Sequence, residues 1–454
     1  MPSSFSKNLA TLMPGSSTSD STRVSRSAAG SAVSSPTNPT LGKDDVEGVD
    51  DTEVLDEAQG SIILSIIGQL GKGADFHRVT LPTFVLEPRS MLEKLTDNIS
   101  HPEILFSAVT KQDPLERFVE VVRYYLSGWH VKPKGVKKPY NPVLGEIFRC
   151  QWNHPSHNNA TSIYVAEQIS HHPPISTYYY TCPEVGVEIQ GDLRPKSKYL
   201  GNSAAVMFHG GARVKFSAFP EEEYEATFPT MYARGILFGT LFLELGDVIT
   251  IKCPQNDLVC EIEFKVKGFF TGTYNGISGK IRNESTNETL YTISGKWTDE
   301  IFLSPSSSAN SSPSSASPTR GSNGSEKKNL FFDATSHPVS HKSVHPEIQQ
   351  EEYESRRLWH QVTKAIHTKD LDAATDEKSA IEDNQRRLQK ERCESGAPWV
   401  PRFFVHDKEA DQYNFKLNNE LPADPKQALD ALTHRIFDAP ESDTYKHFWP
   451  KAEN

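Results

Sequence analysis

Much that would place this chain at a glance is missing from it. Cysteine is scarce, with Cys150, Cys182, Cys253, Cys260 and Cys393 the only five in 454 residues, an odd number without framework spacing. That excludes a disulfide-stapled secreted scaffold and suits reduced thiols in the cytosol. Long apolar runs are absent too. The N-terminus, MPSSFSKNLATLMPGSS, lacks the apolar core of a signal peptide, and no stretch approaches the roughly 20 apolar residues of a membrane span. The expectation is a soluble protein whose membrane contacts are peripheral. Positive charge is not in excess either: the formal net charge is -11. A nucleic-acid partner is therefore not expected, because phosphate backbones select basic surfaces, and any anion site must be a local basic cluster.

What is present begins with a tail. Residues 1–54 are rich in Ser, Thr, Gly and Pro with little to bury, and read as disordered. Ile62, Ile63, Leu64, Ile66, Ile67 and Leu70 then form a short, dense apolar helix pattern between Ser61, a possible N-cap, and Gly71 with Gly73. A core helix or a lid over an apolar cavity both fit, and 55–78 is taken as the lid region. Next comes VTLPTFVLEPRSMLEKLTDN, extended at first and helical in spacing from Ser90. LERFVEVVRYYLSGW after it has the periodicity of an amphipathic packing helix. VKPKGVKKPYNPVLGEIF concentrates Lys132, Lys134, Lys137 and Lys138 before a Pro-Tyr-Asn-Pro turn. A charge run usually forms a solvated face, and that is the expectation for the first three lysines.

From about 145 to 303 the chain reads as strands. IYVAEQIS, TYYYTC, ARVKFSAF, GILFGTLFLEL, VITIKC and CEIEFKV are rich in β-branched and aromatic residues, with Gly, Asn and Asp at their ends. So many strands without intervening helices predict an antiparallel sheet, and closure into a barrel would remove exposed edges and could enclose a ligand cavity. The fold class expected is β-rich α+β, a large antiparallel β-barrel enclosing a tunnel, with helical segments before and after it. Residues 304–325 are Ser-rich and read as a disordered insertion. FFDAT, Phe331–Thr335, superficially resembles the motif that binds VAP receptors. Lys327 and Lys328 stand where an acidic flank is expected, which favours a buried strand.

Helical spacing returns after Glu351. In SRRLWHQVTKAIHTKD, Leu358, Val362 and Ile366 share one face, and in the next segment Lys378, Glu382 and Arg386 do, at i, i+4 and i+8. From spacing alone a salt-bridged exposed helix accounts for them. The aromatics of PRFFVHD and HFWP suit packing on the outside of the barrel.

The segment around which these pieces are organised is EQISHHPP, Glu167–Pro174. Neighbouring side chains of an extended chain point to opposite faces, so His171 and His172 can share a ligand only where the chain bends. Three readings stand: a strand end with one histidine buried and one solvated; a metal site, although adjacent histidines lack the usual ligand spacing and no Cys-x-x-Cys accompanies them; and paired donors to a phosphate.

EQISHHPP resembles the fingerprint of the oxysterol-binding-protein-related lipid-transfer family. KPYNPVLGE resembles the family's KPxNPxLGE element, PKSKYLGNS another family element, and LPTFVLEPRSMLE the form found in its phosphatidylserine-transferring branch. The resemblance covers residues 55–454. It implies a lipid-binding domain without a cofactor or catalytic machinery, and a short member, of fungal type from its Ser/Thr-rich segments, with no pleckstrin-homology domain ahead of it. It further implies exchange of phosphatidylserine for phosphatidylinositol 4-phosphate, with a sterol carrier or lipid sensor of the same fold as the alternative. By the same resemblance, Lys138, Asn141, His171, His172, Lys378, Glu382 and Arg386 would hold the phosphoinositide, and Leu81, Lys138, Asn141 and Ser197 the serine headgroup. A cytoplasmic protein at contacts between endoplasmic reticulum and plasma membrane is implied as well. A phosphoinositide-processing enzyme would need a nucleophile or metal beside His171, and no Cys-x5-Arg loop, Walker lysine loop or kinase signature is present.

Overall fold

The computed structural model describes residues 52–53, 83–133, 135–236, 241–267, 273–306, 328–417 and 420–438. The expected apolar helix and lid, Leu81, Lys134, most of the Ser-rich insertion and HFWP lie outside them.

An N-terminal helical layer comes first. Ser90 caps α1 (Met91–Lys94) by accepting from the Leu92 N–H, and a 3₁₀ turn over Leu95–Ile99 continues it. α2 (Glu103–Val109) and α3 (Pro114–Ser127) follow. α3 begins as an amphipathic helix should: the Asp113 carboxylate accepts from the N–H groups of Leu115 and Glu116, and Pro114 occupies the first turn. Its Phe118, Val121 and Val122 are buried.

The strands are β1 (Thr52–Glu53), β2 (Leu86–Ser90), β3 (Lys138–Tyr140), β4 (Ile147–His154), β5 (Ala160–His171), β6 (Pro174–Cys182), β7 (Val187–Tyr199), β8 (Ser203–Phe216) and β9 (Phe219–Ala226). They continue with β10 (Thr230–Arg234), β11 (Leu241–Cys253), β12 (Leu258–Lys265), β13 (Gly276–Asn283), β14 (Thr289–Lys296), β15 (Glu300–Pro305) and β16 (Asn329–Asp333). β2 and β3 pair in parallel, apart from the main sheet. The other strands form one 14-stranded sheet ordered β16-β15-β14-β13-β12-β11-β10-β8-β7-β6-β5-β4, with β1 and β9 joined off that path. Its inner face meets the helical layer in one large hydrophobic core.

The expected barrel does not form. β16 and β4 end the path, and among the described residues they do not pair with each other. The outer edge of β4 is occupied by the irregular chain that leaves β16: Gln151 exchanges backbone hydrogen bonds with Ser343, and the Ile147 N–H donates to the Tyr353 carbonyl. Closure needs the first and last strands side by side over their length, whereas here a connector satisfies the edge that a strand would have taken. The fold is α+β with an open antiparallel sheet.

Two smaller expectations also change. Ser304 and Pro305 extend β15, paired with Thr292 and Tyr291, so these residues of the Ser-rich stretch are sheet. Phe331 and Phe332 lie buried in β16, the core-strand reading of FFDAT.

The C-terminal helices are α4 (Ser355–Leu358), α5 (His360–His367), α6 (Leu371–Ser395) and α7 (Pro425–Phe437), and β17 (Phe404–Asp407) with β18 (Gln412–Phe415) makes a hairpin before α7. Phe403, Phe404, Phe415, Leu432 and Ile436 pack with Ile147, Val165 and Tyr179 in a second core.

Candidate functional site

One buried carboxylate binds the site's supports together. Glu146, from KPYNPVLGE, is fully buried and accepts from the Ser90 hydroxyl, the Val143 N–H at 3.0 Å, the Ser355 hydroxyl at 2.7 Å and the Trp359 indole N–H at 3.0 Å. Burial pushes its carboxyl pKa up, and the four donors pull it back. Two segments distant in sequence, at Ser90 and at Ser355–Trp359, are thereby held against one turn, and Tyr140 stacks on Trp359 with ring centroids 4.6 Å apart. Glu167, the first residue of EQISHHPP, works similarly. Buried on β5, next to the edge strand β4, it accepts from the backbone N–H groups of Arg402 and Phe403 at 2.7 and 2.8 Å, and so anchors the C-terminal segment.

These anchors place the two histidines. β5 ends at His171, the chain turns through His172 and Pro173, whose connecting peptide is cis, and β6 starts at Pro174. Gln168, fully buried, donates to the Ser170 carbonyl at 2.8 Å and accepts from the Ser176 hydroxyl, while the Ser170 hydroxyl donates to the Pro173 carbonyl at 2.6 Å. The turn brings the rings of His171 and His172 edge to face, centroids 4.6 Å apart, where a straight strand would have separated them. His171 Nδ1 lies 2.9 Å from the Pro142 carbonyl oxygen. A carbonyl only accepts, so Nδ1 carries the hydrogen and Nε2 faces outward with its lone pair. Burial lowers the His171 pKa to about 4, with the neighbouring His172 adding to the effect.

The helix face seen in the sequence arrives at the same place. α6, capped by the Asp370 carboxylate, is docked on the Pro-Tyr-Asn-Pro turn through Gln385, whose side-chain oxygen accepts from the Leu144 N–H at 2.9 Å. Lys378 and Glu382 are ion-paired, and Arg386 reaches Glu382 at 3.6 Å and also pairs with Asp383. Glu382 raises and Arg386 lowers the His171 pKa, so the two histidines and this helix face form one electrostatic unit. Lys378 is mostly buried and Arg386 mostly exposed, at 12% and 62% of side-chain surface. Arg386 is thus the member most able to turn toward an incoming anion.

Beside this unit opens a cavity of about 230 Å³ between the sheet and the loop that holds β3. Lys138, Asn141, Ser197 and Gln168 stand in its lining, otherwise dominated by apolar side chains such as Val206, Phe208, Met231 and Leu243. Pro142 and Pro174 belong to the same wall and lead directly to the histidines. A second cavity shares Met91, Lys137, Phe208 and Met231 with the first, and a third shares Asn98, Trp129 and Phe228 with the second, continuing to Tyr125, Val214 and Tyr224. Laid end to end they form a mostly apolar passage, with Lys138, Asn141, Gln168 and Ser197 in the first cavity and Lys94, Asp97, Asn98 and Lys132 in the second, a lining that suits an amphiphile with a polar end.

The structure corrects the reading of the lysine run. Lys137 lines the first and second cavities, and Lys132, half-buried, lines the second with its ammonium 5.5 Å from the Trp297 ring centre, so neither lies on a purely solvated face. Of the expected site residues, His171, His172, Glu382 and Arg386 converge with Lys378 paired to Glu382, and Lys138, Asn141 and Ser197 line the first cavity. Glu146, Glu167 and Gln168 were missed, although a lone carboxylate or amide inside VLGEIF or YVAEQIS is the pattern of a buried, satisfied polar group. Among the described residues no three His, Cys, Asp or Glu side chains converge as metal ligands, and no helix is long and apolar enough to cross a membrane.

The family model for oxysterol-binding protein matches residues 65–424. The chain belongs to the oxysterol-binding protein family. It is 45% identical over 363 residues to oxysterol-binding protein homolog C23B6.01c of Schizosaccharomyces pombe, covering 78% of this chain and 72% of that one. It is 41% identical over 411 residues to oxysterol-binding protein homolog 6 of Saccharomyces cerevisiae, covering 89% and 87%. The fold is similar to the solved Osh1 ORD domain in complex with cholesterol, with a TM-score of 0.66 at 21% identity over 87% of this chain and 94% of that one. It is also similar to the Osh3 ORD of Saccharomyces cerevisiae in complex with PI(4)P, with a TM-score of 0.56 at 19% identity over 87% and 94%. Family membership makes this a lipid-transfer protein without catalytic activity that works peripherally at membranes, and its partners are lipids.

Proposed function

We propose that this protein exchanges phosphatidylserine for phosphatidylinositol 4-phosphate between two membranes. The observation that carries the reading is the meeting of the His171/His172 turn and the Glu382/Arg386 helix face beside a mostly apolar passage. A phosphomonoester carries close to two negative charges and three strong acceptor oxygens, and charge-assisted hydrogen bonds suit it. His171, His172, Lys138 and Arg386 take the 4-phosphate. Lys378 and Glu382 take the inositol and glycerol-phosphate side, with Asn141 at the rim. Phosphatidylserine lacks the monoester and relies on Lys138, Asn141 and Ser197, with Leu81 closing over the headgroup. In either case the acyl chains enter the passage. The Ser/Thr-rich tail over 1–54 and the segment at 55–78 act as tail and lid.

The second reading, a sterol carrier, is favoured by the solved Osh1 complexes with ergosterol and cholesterol. The membranes proposed are endoplasmic reticulum and plasma membrane. A VAP-type receptor reading FFDAT would need β16 to leave the sheet, since Phe331 and Phe332 are core residues there.

The test is the double variant His171→Ala/His172→Ala in liposome extraction. Loss of the phosphoinositide with phosphatidylserine extraction retained is expected. Equal loss of both lipids by a folded variant contradicts the assignment of the histidines.

A further inference from the structure

Away from the lipid site, three histidines meet where the sheet fails to close. His101, fully buried, precedes α2; His130 follows α3; and His337 lies on the connector that leaves β16 for the edge of β4. His101 Nε2 and His130 Nε2 are 2.9 Å apart, and the His101 ring lies 5.8 Å, centre to centre, from that of His337. The Phe332 ring packs against all three. The connector is fastened here as well, with the Ser340 N–H donating to the Ser100 carbonyl at 2.8 Å and the Ser340 hydroxyl to Glu103 at 3.2 Å. On the other side Ser340 accepts from the Trp152 indole of β4 at 3.2 Å. The cluster therefore joins the helical layer to the chain that bridges the two ends of the sheet.

We propose that His101, His130 and His337 form a proton-sensitive clasp that holds this seam shut at neutral pH and loosens it on acidification. The geometry requires it to respond to protons. In the neutral pair one Nε2 donates and the other accepts. The other nitrogen of the buried ring, His101 Nδ1, has no hydrogen-bond partner and lies 3.7 Å from a Glu103 carboxylate oxygen. A second proton on the pair sets two N–H groups against each other across 2.9 Å and replaces the bond by repulsion. The remaining charged neighbours do not offset this evenly: Asp97 faces His130, while His337 feels Glu103 and Asp333 on one side and the Arg123 guanidinium on the other.

Burial, followed by the charges of His101 and His337, lowers the His130 pKa from 6.5 to about 4, and burial lowers that of His337. The folded value lies below the open-state value, so this group's contribution to the closed seam is complete above pH 6.5 and is lost as pH falls toward 4. From pH 7.5 to 5.5 His130 alone shifts the closed-to-open ratio about tenfold. Ile99 and Trp129, close to the cluster in sequence, line the lipid passage, so a looser seam widens its inner wall. Anionic membranes attract protons, and a surface potential near -30 mV lowers the local pH by about half a unit, so the clasp weakens where lipid must leave.

The test is amide hydrogen exchange on the full chain at pH 7.5 and 5.5, corrected for intrinsic rates, following residues 98–103, 128–131 and 335–340 against β5–β7. The expected result is about a tenfold selective loss of protection at the seam in the native protein, abolished in His130→Gln/His337→Gln, whose side chains hydrogen-bond without titrating. Seam protection that is unchanged with pH in the native protein overturns the proposal, and so does an undiminished loss in the double variant. If the double variant does not fold, His337→Gln alone must reduce the loss, and an unreduced loss overturns it equally.

Discussion

Binding of a phosphomonoester lipid should take up a proton at His171 and tighten as the pH falls. Nδ1 of this ring is committed to the Pro142 carbonyl at 2.9 Å, so the outward Nε2 of the neutral ring is an acceptor and repels phosphate oxygens. With a pKa of about 4 the free ring is neutral at pH 7. Placing a proton on Nε2 there costs about 4 kcal/mol, which only an adjacent dianion can offset. The bound ring therefore has a raised pKa relative to the free ring, and the sign follows: binding gains about tenfold for each unit by which pH is lowered from 8, until the phosphate itself begins to protonate near pH 6. The assay is calorimetric titration with a short-chain, soluble phosphatidylinositol 4-phosphate at pH 8.0, 7.0 and 6.5, in buffers of different ionisation enthalpy. An uptake approaching one proton is expected at pH 7, falling to nearly none in His171→Asn. His171→Ala should weaken binding by roughly tenfold to a hundredfold, the worth of one charge-assisted bond of about 1.5–3 kcal/mol. A pH-independent affinity with no proton uptake would mean that His171 stays neutral against the phosphate.

Other consequences follow from the same geometry. Glu146→Ala leaves three buried donors, Ser90, the Val143 N–H and Trp359, without an acceptor, while Ser355 keeps the Ile147 carbonyl, and it should destabilise the fold by about 3–5 kcal/mol in urea unfolding; a loss under about 1 kcal/mol contradicts the anchoring role given to it. Lys378→Ala with Arg386→Ala should weaken phosphoinositide binding at least tenfold, from bonds worth roughly 1.5–3 kcal/mol each, and unchanged affinity would return the ladder to a solvated face. Excising 307–325 while keeping Ser304–Ser306, which belong to β15 and its end, should leave melting temperature and transfer rate unaltered. A large fall in either would mean that the segment packs or binds.

Local chemistry made much of this legible. β-branched and aromatic residues located the strands, and the apolar periodicity of LERFVEVVRYYLSGW announced α3. The i, i+4, i+8 spacing of Lys378, Glu382 and Arg386 placed them on one helix face. Closure of the sheet was not legible, because it depends on what lies beside β4 and β16, and no residue of either strand records that Ser343 and Tyr353 occupy the β4 edge. The lysine run misled for a related reason: composition suggests a solvated face, but Gly135 and the prolines around it turn Lys132 and Lys137 toward the passage. The pairing of His101 with His130 spans helices α2 and α3 and has no sequence periodicity at all.

Exchange itself is read out in a two-liposome transfer assay with separate sensors for phosphatidylserine, phosphatidylinositol 4-phosphate and sterol. If exchange is the function, phosphatidylserine moves toward the liposomes containing phosphatidylinositol 4-phosphate, faster than without it, while the phosphoinositide moves the opposite way. Robust sterol transport with no phosphatidylserine signal would contradict it.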